Sequence, residues 1–218
     1  MATEQLTFAE ELTLLAHRES DGKQLIPNRI LNISLTAAEL AELAALRKVE
    51  LRGTDLAVAD KRTVGDAELD AVLTRMAKVG KTLSPHRWLI MINPVHKRKR
   101  YLQRLTDRGA LKAGKPKLFG LIPAERYSPA DPAVGRQVRE RLGKALRGQK
   151  PDARTRTLLA LAYGSGLAQH LFSTANDKRI EELTRDDWAG QAVRTYVEKT
   201  TGKTDDSDGS VILASGGS

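Results

Sequence analysis

Seven times along this chain a helix-capping residue stands directly ahead of apolar side chains at helical spacing. That punctuation leaves little room for an extended sheet. Thr7 and Glu10 have the spacing of a capping box and predict a helix to about Arg18, with Phe8, Leu12 and Leu15 inward. Thr36 and Glu39 repeat the box ahead of Leu40, Leu43 and Leu46, and Asp66 stands before Leu69, Leu73 and Met76. Ser84-Pro85 and Asn93-Pro94 pair a cap with a proline suited to the first helical position, where its missing N–H costs nothing. Asp131-Pro132 starts a charged helix ending near Gly148, and Asp152 starts an apolar one containing Leu158, Leu159 and Leu161. Residues 176–199 read as two further helices divided around Asp186-Asp187.

Two short extended pairs interrupt this pattern. Val49 to Leu51 and Leu56 to Val58 flank Gly53-Thr54-Asp55, and Ala110-Leu111 and Leu118 to Ile122 flank Ala113-Gly114-Lys115-Pro116. Aromatic residues make up only 4% of a chain that is 40% hydrophobic, so the core must be built from Leu, Ala, Val and Ile. The expected fold is mostly α: one globular helical domain over residues 1–200 with two small β-hairpins. A tail over residues 201–218, rich in Gly, Ser, Asp and Thr and without periodicity, is expected to be disordered.

The search for catalytic chemistry is negative. The chain has no cysteine, which excludes disulfides and thiolate metal sites and fits a reducing compartment. His17, His86, His96 and His170 share no metal-ligand spacing. Gly164-Ser165-Gly166 is too short for a nucleophile elbow and reads as a helix break. Gly143 to Gly148 lacks the Gly-Lys-Ser/Thr of a phosphate-binding loop. Asp205, Asp206 and Asp208 lack the glutamate and flanking helices of a calcium loop. The expectation is a protein that is not an enzyme and uses no cofactor or metal. Apolar runs such as Trp88 to Ile92 fall far short of the ~20 residues that span a bilayer. No basic-then-apolar signal pattern opens the chain, because Glu4, Glu10 and Glu11 interrupt it. The expected localisation is cytoplasmic, with any membrane contact peripheral and reversible.

Charge is the positive signal. The formal net charge is +9, and nine basic residues against one acidic, Asp107, fall between Lys97 and Lys117. A helix opening at Asn93 and running to Gly109, with Tyr101, Leu102 and Leu105 on its buried face, puts His96 to Arg100 in its first two turns. Each cation there opposes the macrodipole by about 0.3–1 kcal/mol. Free N–H groups beside such a cluster make an anion site, and phosphate is the expected ligand. Arg98 shares a stripe with Val95, Leu102 and Leu105, which predicts a side chain reaching to the rim of a pocket. Lys97, Arg100 and Arg104 share a neighbouring face suited to an anionic surface.

These segments together resemble the Golgi phosphoprotein 3 family. The resemblance rests on Leu6-Thr-Phe-Ala-Glu-Glu-Leu-Thr-Leu-Leu-Ala, Glu42-Leu43-Ala44 and Thr63-Val-Gly-Asp-Ala-Glu-Leu-Asp70. Further on it rests on Leu105-Thr-Asp-Arg-Gly-Ala-Leu111 and Asp152-Ala-Arg-Thr-Arg-Thr-Leu-Leu-Ala-Leu161, so that it covers roughly residues 5–200 in order. The resemblance implies a mostly helical peripheral membrane protein that binds phosphatidylinositol 4-phosphate. In eukaryotic members it also implies the holding of glycosyltransferases by their cytosolic tails. The family pocket uses an early tryptophan and arginine, whose positions here hold Pro27 and Thr36. It also uses two basic residues in the helix before the hairpin, where this chain has Val95 and Arg98. Arg98 is the one kept. Thr36 is explained as an N-cap, and Arg29, His96, Lys97 and Arg100 are the residues that would compensate, a reading from the residues and not from the family. The first motif begins by Leu6, without the long arm of eukaryotic relatives, which gives the chain the look of a bacterial-type member. The resemblance also implies oligomerisation and membrane contact through the hairpin at 110–122, where Lys112, Lys115 and Lys117 extend the basic face.

The expected function is therefore a peripheral membrane adaptor for anionic phospholipid headgroups, with protein cargo or a second copy as further partners. Nucleic acid is the competing partner, since counterion release would use the same lysines and arginines. Against it, the basic helix has no Asn or Gln in its first turns to read bases.

Overall fold

The computed structural model describes residues 5–92, 95–114, 126–173 and 176–201. Their order is α1 (Phe8–Leu15), α2 (Asn28–Ala45), β1 (Val49–Arg52), β2 (Asp55–Val58), α3 (Ala67–Val79), α4 (Pro85–Met91) and α5 (Lys97–Asp107). Then follow β3 (Leu111–Gly114), β4 (Arg126–Pro129), α6 (Pro132–Leu146), α7 (Ala153–Gly164), α8 (Ala168–Leu171), α9 (Asp177–Thr184) and α10 (Trp188–Thr201). The fold is mostly α with two antiparallel two-stranded sheets, as the cap-and-stripe pattern predicts.

α2 is the axis of the molecule. It packs against α1, α3, α4, α5, α7 and α10, and from Leu31 to Leu43 nearly every side chain is buried. A helix enclosed on all sides needs apolar or internally bonded residues all round. Leu31, Ile33, Leu35, Leu40 and Leu43 meet the first condition. Ser34 and Thr36 meet the second by donating their hydroxyls to the Ile30 and Asn32 carbonyls. The expected helix start at Thr36 is thus corrected: Thr36 lies in the middle of an 18-residue helix that opens after Pro27. Its spacing to Glu39 mimics a capping box, but Glu39 is needed elsewhere.

The caps at Thr7, Asp66, Asp131 and Asp152 are as read, with small shifts at helix ends. Thr7 and Glu10 exchange both bonds of the capping box, although α1 stops at Leu15. Asp66 accepts from the Glu68 and Leu69 amides, Asp131 from Ala133 and Asp152 from Thr155. Ser84 precedes α4 without a side-chain cap bond. Gly164 ends α7, and Gly166 follows at φ +75°, so Gly164-Ser165-Gly166 is a helix terminus.

The first hairpin pairs Val49–Arg52 with Asp55–Val58. The second keeps Leu111 but takes its partner from Arg126–Pro129, in register Leu111↔Pro129 and Ala113↔Tyr127. That corrects the expected pairing with 118–122, residues outside the described ones, as are Asn93, Pro94 and the tail from 202. A satellite cluster of Leu14, Leu102, Leu105 and Leu111 seats α5 and the second hairpin on α1. No helix among the described residues is long and apolar enough to cross a membrane.

Candidate anion-binding groove

α5 begins at Lys97, three residues later than its sequence suggests, and its N-cap His96 is in the left-handed region at φ 69°. No side chain of its own caps it. The cap comes from α2 instead: the Arg98 N–H donates to Asn32 Oδ1 at 2.7 Å. A non-glycine residue at positive φ carries strain of about 1–3 kcal/mol, which the surrounding contacts must hold.

The basic segment then divides by direction. Lys97 turns inward, its side chain only 6% exposed, with Nζ 2.8 Å from Glu39 Oε1 and 3.3 Å from Glu68 Oε2. Arg100 pairs with Glu68 at 3.1 Å. Arg104 bridges Glu10 at 2.9 Å and Asp66 at 2.6 Å, and Arg108 also meets Glu10. These contacts correct two expectations. Lys97 is not part of an outward face with Arg100 and Arg104, and as a buried ion-pair member it is not placed to meet a headgroup. The cations at the helix start also do not lack carboxylates, because α2 and α3 bring Glu39 and Glu68 to Lys97 and Arg100. Burial raises the Glu39 carboxyl to a pKa of about 7, against the opposing pull of Lys97 and the Tyr101 hydroxyl.

Arg98, Lys99 and His96 face the other way. With Asn28, Arg29, Asn32 and Val95 they line a groove of about 490 Å³ between the first turns of α2 and α5. Both helix starts contribute positive potential there. Arg98 meets no carboxylate among the described residues. Its Nε donates to Gln24 Oε1, and its guanidinium lies 6.0 Å from the centre of the Tyr127 ring on β4. Gln24 in turn donates to Asn28 Oδ1 at 2.9 Å and to the Ile26 carbonyl at 2.6 Å, tying Arg98 to the start of α2. Both anchors are neutral, so the charge of Arg98 is held in place without being cancelled.

Arg29 is exposed yet oriented, with Nε 2.8 Å from the Tyr196 hydroxyl and its guanidinium 5.4 Å from that ring. The side chains of His96 and Lys99 are exposed, and neither pairs with a carboxylate among the described residues. Four of the five headgroup candidates therefore lie near one another. Arg98, His96 and Arg29 line this groove, while Arg100 lines a second depression of about 710 Å³ that shares His96 and Lys99. Lys112 is exposed on β3, whereas Lys115 and Lys117 lie outside the described residues.

Val95 stands 55% exposed ahead of the helix and so is not on the buried stripe with Leu102 and Leu105. Thr36 is wholly buried inside α2, while Pro27 is exposed at its N-cap. Sequence reasoning missed Gln24, Asn28 and Asn32. The i,i+4 spacing of Asn28 and Asn32 was the available signal, hidden by placing the helix start at Thr36. Another cavity, about 240 Å³, lies between α7, α9 and α10, where Tyr163 donates to Glu181 and Arg194 meets Glu198.

These elements define a mostly helical protein with a cationic groove opened between two helix starts. A family model for Golgi phosphoprotein 3 (GPP34) matches residues 8–200, a span that includes both helices of the groove, and the chain belongs to that family.

Proposed function

We propose that the protein is a non-enzymatic peripheral membrane adaptor that docks reversibly on anionic phospholipid headgroups through the α2–α5 groove. The observation that carries this reading is Arg98: half-buried, fixed by Gln24 and Tyr127, and facing no carboxylate among the described residues. A guanidinium held in this way recognises phosphoryl oxygens through its remaining N–H groups. Arg29, His96 and Lys99 surround the same volume, and Asn28 and Asn32 offer amides on its α2 side. A phosphomonoester such as the 4-phosphate of a phosphoinositide is the favoured headgroup. With Thr36 enclosed, its selectivity rests on Arg98 and Arg29 together with the asparagines.

Basic groups near an anionic surface contribute about 1 kcal/mol each, so attachment is salt-sensitive and reversible. Flotation with phosphatidylcholine vesicles, alone and with phosphatidylserine or phosphatidylinositol 4-phosphate, tests the reading at low and physiological salt. The expected result is recovery with anionic vesicles only, highest with the phosphoinositide. Equal recovery with neutral vesicles, or tight duplex DNA binding without lipid binding, contradicts it.

A further inference from the structure

Five large apolar side chains stand exposed among the described residues, and three of them fall within six positions: Ile90 (56%), Met91 (41%) and Val95 (55%). The phase of α4 explains the first two. Trp88 and Leu89 are fully buried, and Trp88 Nε1 donates to the Leu56 carbonyl at 3.0 Å, which pins one face of the helix to the core. The opposite face is Arg87, Ile90 and Met91, all exposed. An ordinary solvent face of a helix is polar; this one is a cation beside two apolar side chains. Val95 then lines the groove next to Arg98 and Lys99.

The charged residues next to this apolar ridge in the sequence are all basic, and Arg87 and Lys99 meet no carboxylate among the described residues, although Arg100 is paired with Glu68. No Asp or Glu occurs in the sequence between Asp70 and Asp107, whereas Arg87, Lys99 and Arg100 are exposed on the flanking turns. That setting selects among occupants. A second copy meeting the same face would oppose like charges across a two-fold contact. An anionic bilayer offers both things the face presents: negative headgroups for the cations and an acyl boundary for the apolar tips.

We propose that Ile90, Met91 and Val95 form a shallow insertion element that enters the headgroup–acyl boundary of an anionic membrane while the adjoining groove holds a headgroup. This rests on the proposed membrane docking and adds the element that penetrates. Burial by such elements is about 5–10 Å deep.

The chain has no cysteine, so a single introduced one is a unique label site. Ile90→Cys, Val95→Cys and, as an exposed control at the end of α2 away from the groove, Leu46→Cys would each carry an environment-sensitive nitrobenzoxadiazole probe. Each would be mixed with phosphatidylcholine–phosphatidylserine vesicles, with and without nitroxide-labelled acyl chains. The expected result is a blue shift and nitroxide quenching at positions 90 and 95 and no response at 46. In parallel, Ile90→Asn combined with Val95→Asn should lower vesicle recovery roughly tenfold while leaving the thermal midpoint unchanged. Flotation retained with silent probes at 90 and 95 overturns the insertion element and leaves headgroup docking standing. Absence of flotation with any anionic vesicle overturns docking and insertion together. Probe responses that rise with protein concentration without vesicles would show that a second copy covers the ridge, and would also overturn it.

Discussion

Lys97 Nζ and Glu39 Oε1 lie 2.8 Å apart between α5 and α2, with Lys97 nearly and Glu39 fully excluded from solvent. This pair fixes the direction in which the basic helix presents its charge. With Lys97 turned inward, the next two residues, Arg98 and Lys99, are carried to the groove side. The family of cations thereby separates into residues that hold α5 on the core and residues that remain available to a ligand.

Removing Lys97 strips the buried Glu39 carboxyl of its cation and leaves it to be held unpaired or protonated. Lys97→Met should cost about 3 kcal/mol of unfolding free energy at neutral pH, as breaking a buried pair from one side does. Urea denaturation measures it. Adding Glu39→Gln should recover a substantial part, and a double variant as unstable as the single one contradicts the assignment.

The same carboxyl gives a signed pH dependence. Folded Glu39 holds its proton to a pKa of about 7 against an unfolded value of 4.5. Between those values the folded state binds more protons, so the Glu39 contribution to stability falls as pH rises and levels off above about 7. The stability difference between the wild type and Glu39→Gln should shrink in that direction. His17 works oppositely: burial lowers its imidazole pKa, so its contribution is lost as pH falls below its ordinary 6.5. Comparison with Glu39→Gln isolates the first effect from the second.

α7 and α10 touch through glycine backbones. A Cβ at Gly190 would stand 2.6 Å from the Ala160 carbonyl oxygen, and one at Gly164 would stand 2.3 Å from that of Gly190. Gly190→Ala should therefore destabilise by about 1–3 kcal/mol, as overpacking does, although alanine favours helices. Thermal unfolding reads the sign, and a stabilised variant would show that the helices are not so close.

Asn32 caps a helix to which it does not belong. Asn32→Ala should cost about 1 kcal/mol and loosen the start of α5, weakening vesicle attachment beyond what its neutral side chain alone explains. Denaturation and flotation of the same variant give the two readouts.

Local signals were legible in the sequence. Thr7, Asp66, Asp131 and Asp152 act on amides two or three residues away, so a short window contains the whole interaction. Tyr101, Leu102 and Leu105 were readable as one buried face for the same reason. Misreadings arose where the deciding partner is distant. Glu39 meets a lysine 58 residues on, so its spacing from Thr36 looked like a cap. The cations of α5 looked uncompensated because their carboxylates lie on three other helices. Arg98 was found from its place on a stripe, but Gln24, 74 residues earlier, which holds it, left no local trace.

The central claim is that the fixed charge of Arg98 holds a lipid phosphoryl group. The direct measurement is flotation of the wild type, Arg98→Ala and the exposed-surface control Lys61→Ala with phosphoinositide-containing and neutral vesicles at physiological salt. Arg98→Ala should lose at least roughly fivefold in recovery on anionic vesicles, with an unchanged thermal midpoint and with Lys61→Ala like the wild type. Equal recovery of Arg98→Ala and the wild type would contradict the account.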